Sequence, residues 1–141
     1  MVTPATQPEN SGKKIPVRKT ILIVDDEEMT RDVLAQALNI MGFNSISAEN
    51  GVVAFELVKK NKLDLVITDI HMPRMNGLEL LREVKAYDPD LPVILITGFD
   101  AEETRLAAKE HEASALITKP FRLNQLGELM NNIFSESVKK D

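Results

Sequence analysis

The stretch Thr20-Ile21-Leu22-Ile23-Val24-Asp25-Asp26-Glu27-Glu28 decides the fold, because a run of strand-forming apolar residues ends abruptly in four carboxylates. A strand with one wet face alternates apolar and polar residues. Residues 21–24 do not alternate, which marks a strand covered on both faces, as in a parallel sheet flanked by helices. Residues 65–68, 93–96 and 116–117 share this texture, and residues 45–48 form a weaker, alternating fifth run.

Between these runs the apolar residues take the helical period. Val33, Leu34, Ala37, Leu38 and Met41 form one stripe; Ala54, Leu57 and Val58 a second; Leu78, Leu81 and Val84 a third; Leu123, Leu126, Met130 and Ile133 the last. Residues 102–110 are helix-prone, but their face of Leu106, Ala107 and Ala108 is thin and predicts loose packing. Gly42 stops the first helix, and Pro89 and Pro92 fence the fourth strand. Strand and helix alternate five times between Thr20 and Phe134, the pattern of a doubly wound α/β domain with right-handed crossovers.

The 141 residues, 43% hydrophobic and 28% charged, suffice for one domain and not two. Residues 1–19, with Pro4, Pro8, Pro16, Gly12 and Ser11, read as a flexible N-terminal tail in which Lys13, Lys14, Arg18 and Lys19 are solvated charges. Residues 20–134 are the domain and 135–141 a short C-terminal tail; Met1 and the charged end Lys139-Lys140-Asp141 favour a complete chain. Seventeen basic against 22 acidic residues give a net charge of -5, which argues against direct nucleic-acid binding. No cysteine is present, so disulfides, thiolate metal sites and cysteine nucleophiles are excluded. No apolar stretch approaches the roughly 18 residues of a membrane helix, and the N-terminus has no signal-peptide core. A cytoplasmic protein without membrane association is expected.

In an open parallel sheet, ligands bind beyond the carboxyl ends of the strands, where the strand order reverses. Those ends carry Asp25-Asp26, Asp69, Thr97 and Lys119. In a sheet ordered 2-1-3-4-5 the first and third strands are neighbours, so the three carboxylates converge, with Thr97 and Lys119 beside them. Each residue alone has a plainer role: Asp25 or Asp26 as a helix cap, Asp69 as a turn former before Pro73, Thr97 as a strand residue, Lys119 as a solvated charge. Their joint occurrence at successive strand ends favours a site. Three close carboxylates repel one another, and a hard divalent cation such as Mg²⁺ relieves the repulsion. The set suits phosphoryl transfer to a carboxylate nucleophile, with a cation and a hydroxyl on the transferring oxygens.

The segments Ile21-Leu22-Ile23-Val24-Asp25-Asp26-Glu27, Asp64-Leu65-Val66-Ile67-Thr68-Asp69-Ile70-His71-Met72-Pro73-Arg74-Met75-Asn76-Gly77, Ile94-Leu95-Ile96-Thr97-Gly98 and Ile117-Thr118-Lys119-Pro120-Phe121 resemble the receiver domain of two-component response regulators. The resemblance covers nearly everything except the tails. It implies a flavodoxin-like, doubly wound, five-stranded parallel sheet of order 2-1-3-4-5 with five helices. It further implies that Asp69 is the phosphoacceptor and that Asp25 and Asp26 hold Mg²⁺ with Asp69 and the backbone carbonyl of His71. Thr97 would be the switch hydroxyl, Lys119 the phosphoryl-contacting cation, and Lys119–Pro120 a cis bond. The implied partners are a histidine kinase or histidine phosphotransfer protein and a downstream protein. The domain would catalyse its own phosphorylation and dephosphorylation without being a conventional enzyme.

One position departs from the family: Leu116 stands three residues before the lysine, where an aromatic ring usually relays the signal; Phe99 and Phe121 are nearby candidates to replace it, though an apolar core or surface role explains both equally well. Neither His71 nor His111 sits in the four-helix setting of a phosphohistidine module, and both read as surface histidines. A receiver excised from a larger hybrid kinase or regulator is the alternative. A phosphatase of the haloacid-dehalogenase kind needs a carboxylate two residues after the nucleophile, where this chain has His71. A flavin module needs phosphate donors in the first loop, where Asp25 to Glu28 repel phosphate.

Overall fold

Every apolar run becomes a strand in the computed structural model, which describes residues 18–139. The elements are β1 (Thr20–Val24), α1 (Glu28–Ile40), β2 (Asn44–Ala48), α2 (Gly51–Lys60), β3 (Leu65–Asp69), α3 (Gly77–Tyr87), β4 (Val93–Thr97), α4 (Glu102–Glu110), β5 (Ala115–Thr118) and α5 (Leu123–Lys139). All neighbouring strands are parallel and the order is β2-β1-β3-β4-β5. The expected doubly wound sheet with five helices is therefore the observed one.

Alternate strand residues feed two cores. Ile21, Ile23, Leu65, Ile67, Ile94 and Ile96 pack with Leu34 and Leu38 of α1 and Leu126 and Met130 of α5. Leu22, Val24, Val66, Val93 and Leu95 face the other way, with Ala54 and Val58 of α2, Leu80, Leu81 and Val84 of α3, and Ala108 of α4. Two-sided burial explains why β1, β3 and β4 are apolar without alternation.

The helix faces differ from the sequence reading in detail. Val33 is 49% exposed and lies with Met29 and Ile40 on the outer face of α1, while Leu34 and Leu38 are buried. Leu80, outside the expected stripe of α3, is fully buried, and Leu78 only partly so. Neighbouring apolar residues sit about 100° apart on a helix, and only the sheet decides which is covered. In α4 Ala108 alone is buried and Leu106 is exposed, as its thin face predicted.

The last helix runs past Phe134 to Lys139. The apolar stripe ends near Phe134, yet residues 135–139 contain no Gly or Pro to stop the backbone ladder. Lys13 and Lys14 lie outside the described residues. Arg18 and Lys19, read as tail, are tied down: the Arg18 guanidinium donates to the carbonyls of Asn39, Gly42 and Phe43, and Lys19 lies 4.8 Å from the Phe134 ring centre.

Candidate functional site

At the carboxyl end of β1, the Asp25 N–H donates to the Ala48 carbonyl at 3.2 Å, continuing the strand's pairing by one residue. Asp25 is then folded back into the crevice, 2% exposed, and its Oδ1 accepts the Glu27 N–H at 2.9 Å. It does not cap α1: the capping position is Glu27, which makes no side-chain cap bond. Asp26 is exposed on the same loop. Asp69 ends β3 and is 7% exposed. One carboxylate oxygen from each of Asp25, Asp26 and Asp69 lies within 4.8 Å of the others.

Lys119 follows β5 through a cis bond to Pro120, and its N–H donates to the Thr97 carbonyl at 2.7 Å, which ties the ends of β4 and β5 together. Its Nζ lies 3.6 Å from Asp69 Oδ2 and 3.8 Å from Asp25 Oδ2. Both distances exceed those of a tight charge-assisted hydrogen bond, about 2.7–2.9 Å. The amine bridges the two acids loosely and leaves room on each.

Burial pushes the Asp25 carboxyl above the ordinary carboxylate range, against the Glu27 amide, which lowers it; Asp69 and Asp26 raise it further and Lys119 opposes them. A buried acid facing two others is unfavourable without additional positive charge. The donors are all hard oxygens with open solvent at Asp26, a set that fits Mg²⁺, an ion that keeps several waters.

Thr97 is fully buried at the end of β4. Its Oγ1 donates to the Phe99 carbonyl and accepts the Phe99 N–H, both at 3.1 Å. His71, read from sequence as a plain surface histidine, is exposed, but its Nε2 approaches the Thr97 hydroxyl to 3.5 Å. That proximity joins two loops far apart in the chain and has no sequence signature. Of the two aromatic substitutes, Phe99 is 66% exposed. Phe121 packs on the α1/α5 core, across the sheet from Leu116, which packs on the α2/α3/α4 core. Neither ring occupies the Leu116 position.

Four supporting residues had no role in the sequence reading. At Gly77 a Cβ would collide with the Asp69 carbonyl oxygen and come within 2.7 Å of the Ile70 Cα, so glycine lets α3 start against the end of β3. A capping box at Asn76 and Glu79 fixes that start; Asn76-Gly77 before a helical stripe was the available signal. Arg31 Nη1 donates to the Asp25 carbonyl at 2.8 Å, a contact without a spacing rule.

The sequence matches the family model described as "Response regulator receiver domain" over residues 21–131. Among curated relatives, response regulator MprA of Mycobacterium sp. strain KMS is 37% identical over 112 residues, 79% of this chain and 48% of its own. The MprA of Mycobacterium ulcerans is 31% identical over 121 residues, 86% and 52% of the two chains. The chain thus spans about half the length of these relatives. A CheY-like receiver domain protein from Methanospirillum hungatei superposes with a TM-score of 0.85 at 28% identity, covering 89% of this chain and 100% of that one. Response regulator TrrA from Thermotoga maritima, solved with Mg²⁺ and BeF, gives 0.75 at 33% identity over 82% and 98% of the two chains.

Proposed function

The chain belongs to the response regulator receiver domain family of two-component systems, and from that premise we propose that Asp69 accepts a phosphoryl group from a phosphohistidine of a histidine kinase or histidine phosphotransfer protein. The convergence of Asp25, Asp26 and Asp69 within 4.8 Å, with Lys119 3.6 Å from Asp69, carries the reading. An Asp69 carboxylate oxygen forms the new O–P bond as the P–N bond to the donor imidazole breaks. Lys119 holds positive charge beside that oxygen, and the Asp25 and Asp26 carboxylates, with the His71 carbonyl, complete a Mg²⁺ site. Bound there, Mg²⁺ would neutralise charge on the phosphoryl oxygens.

Phosphorylation offers the Thr97 hydroxyl a charged acceptor in place of the neutral Phe99 carbonyl, and charge-assisted hydrogen bonds are roughly twice as strong as neutral ones. The 98–101 loop and α4 then change, and a downstream protein reads that surface. On this reading the domain is itself the phosphoacceptor and catalyses its own phosphorylation and dephosphorylation. Among the described residues no helix is long and apolar enough to cross a membrane; a cytoplasmic location suits a phosphohistidine donor.

Incubation with acetyl phosphate and Mg²⁺, read by intact mass, should add one phosphoryl group to the wild-type chain and none to Asp69→Asn. Labelling of the variant at the wild-type level overturns the assignment.

A further inference from the structure

The three acids of the site are not held alike. Asp25 has its carboxylate on the Glu27 N–H, and Asp69 ends a fully buried strand beside Lys119. Asp26 is exposed, and among the described residues no hydrogen bond or ion pair engages its carboxylate. Its direction is therefore set by its backbone. The peptide unit that aims it comprises the Asp25 carbonyl and the Asp26 N–H, which share one rigid plane.

Among the described residues that plane has one fastening. Arg31, partly buried on the first turn of α1, reaches back six residues to donate from Nη1 to the Asp25 carbonyl at 2.8 Å. No backbone N–H among the described residues donates to that oxygen. A carbonyl buried in this way needs a partner, and with Arg31 absent the plane must turn to find one, carrying the Asp26 Cα with it. Arg31 is not among the groups that shift the Asp25 carboxyl, which are burial, the Glu27 amide, Asp69, Lys119 and Asp26. Its leverage is on the backbone, not on the charge of the acid.

We infer that Arg31 is the positioning residue of the acidic pocket: by clamping the Asp25–Asp26 peptide it holds the otherwise unsupported Asp26 carboxylate toward Asp69. The inference rests on the reading of this pocket as a Mg²⁺ site and assigns its orientation to a side chain outside it.

The test is a double-mutant cycle on Mg²⁺ affinity, using the full chain and amide NMR titration, since there is no tryptophan to follow. R31M should weaken Mg²⁺ roughly ten-fold, the scale of losing a group that orients a metal ligand. D26N should weaken it by at least as much. In the D26N background R31M should cost less than about two-fold, because the ligand it positions is gone. Wild-type affinity in R31M, or full additivity in the double variant, overturns the inference; additivity is what a general structural role would give. Should R31M not fold, R31Q enters the same cycle with the same expectation. A wild-type chain that binds no Mg²⁺ overturns the parent reading instead, which keeps the two failures apart.

Discussion

At the β1–β3 half of the sheet's carboxyl edge, Asp25 is bonded through its N–H, its carboxylate and its carbonyl, and α3 presses so closely on Asp69 and Ile70 that only glycine fits at 77. At the β4–β5 half, the Thr97 hydroxyl is bonded to Phe99 two residues on, Gly98 has open space around it, and α4 buries only Ala108. The Asp100–Arg105 pair that fastens this loop, at 2.6 Å, is solvent-exposed, where ion pairs contribute little. Regions with few buried contacts open at low free energy. On the proposed reading the acceptor and the acidic pocket thus sit on the tightly packed half, and Thr97 and Lys119 reach them from the half with fewer buried contacts.

The largest expected effect tests this through two glycines. Gly77→Ala should lower stability by about 1–3 kcal/mol, as overpacking against backbone does, whereas Gly98→Ala should stay within about 0.5 kcal/mol of wild type. Urea denaturation measures both. Equal losses would break the contrast.

A smaller effect concerns Asp25. Because burial raises its pKa in the folded state, the folded chain binds a proton more tightly than the unfolded one. Metal-free stability should fall as pH rises from the unfolded carboxylate value through the raised folded value, and level off above it. Asp25→Asn keeps an oxygen for the Glu27 N–H and removes the charge. In EDTA at neutral pH it should unfold at higher urea than wild type and lose that pH dependence. A less stable variant would mean that the charge is already compensated.

The subtlest effect sharpens the contrast inside the β4–β5 half. Leu116 is smaller than an aromatic ring, has no polar tip, pairs with Leu95 across β4 and β5, and packs on the α2/α3/α4 core. Amide exchange with and without beryllofluoride should therefore change most in the Thr97–Asp100 loop and α4, with little near Leu116. A maximum at Leu116 and α5 would show that side-chain size does not limit the relay.

The buried strands were legible because two-sided burial writes itself as unbroken apolar runs, and Asp25, Asp26, Asp69 and Lys119 because strand ends can be located from those runs; the order of the strands came from the family resemblance, since apolar runs do not say which strands are neighbours. Residues whose role depends on approach between distant segments were not. Val33 and Leu34 look equivalent until the sheet covers one of them; Leu80 is covered only once α3 lies on the sheet; Arg31 matters through the Asp25 carbonyl, and Gly77 through the Asp69 carbonyl and the Ile70 Cα; His71 meets Thr97 only once β3 and β4 are paired. The far end of α5 escaped for another reason: the apolar stripe ends near Phe134, and the helix continues where no Gly or Pro stops it.

The strand order also bears on how the chain first acquires its shape. With every pairing parallel, no two neighbouring strands can be joined by a hairpin. Thr20 must find Asn44 and Ile21 must find Leu65, so β1, the earliest of these five strands to be made, keeps one edge unpaired until β3 has emerged. Sheets of such distant pairings fold slowly and leave apolar edges open meanwhile. A nascent chain ending before Leu65 should therefore remain unfolded and depend on chaperones.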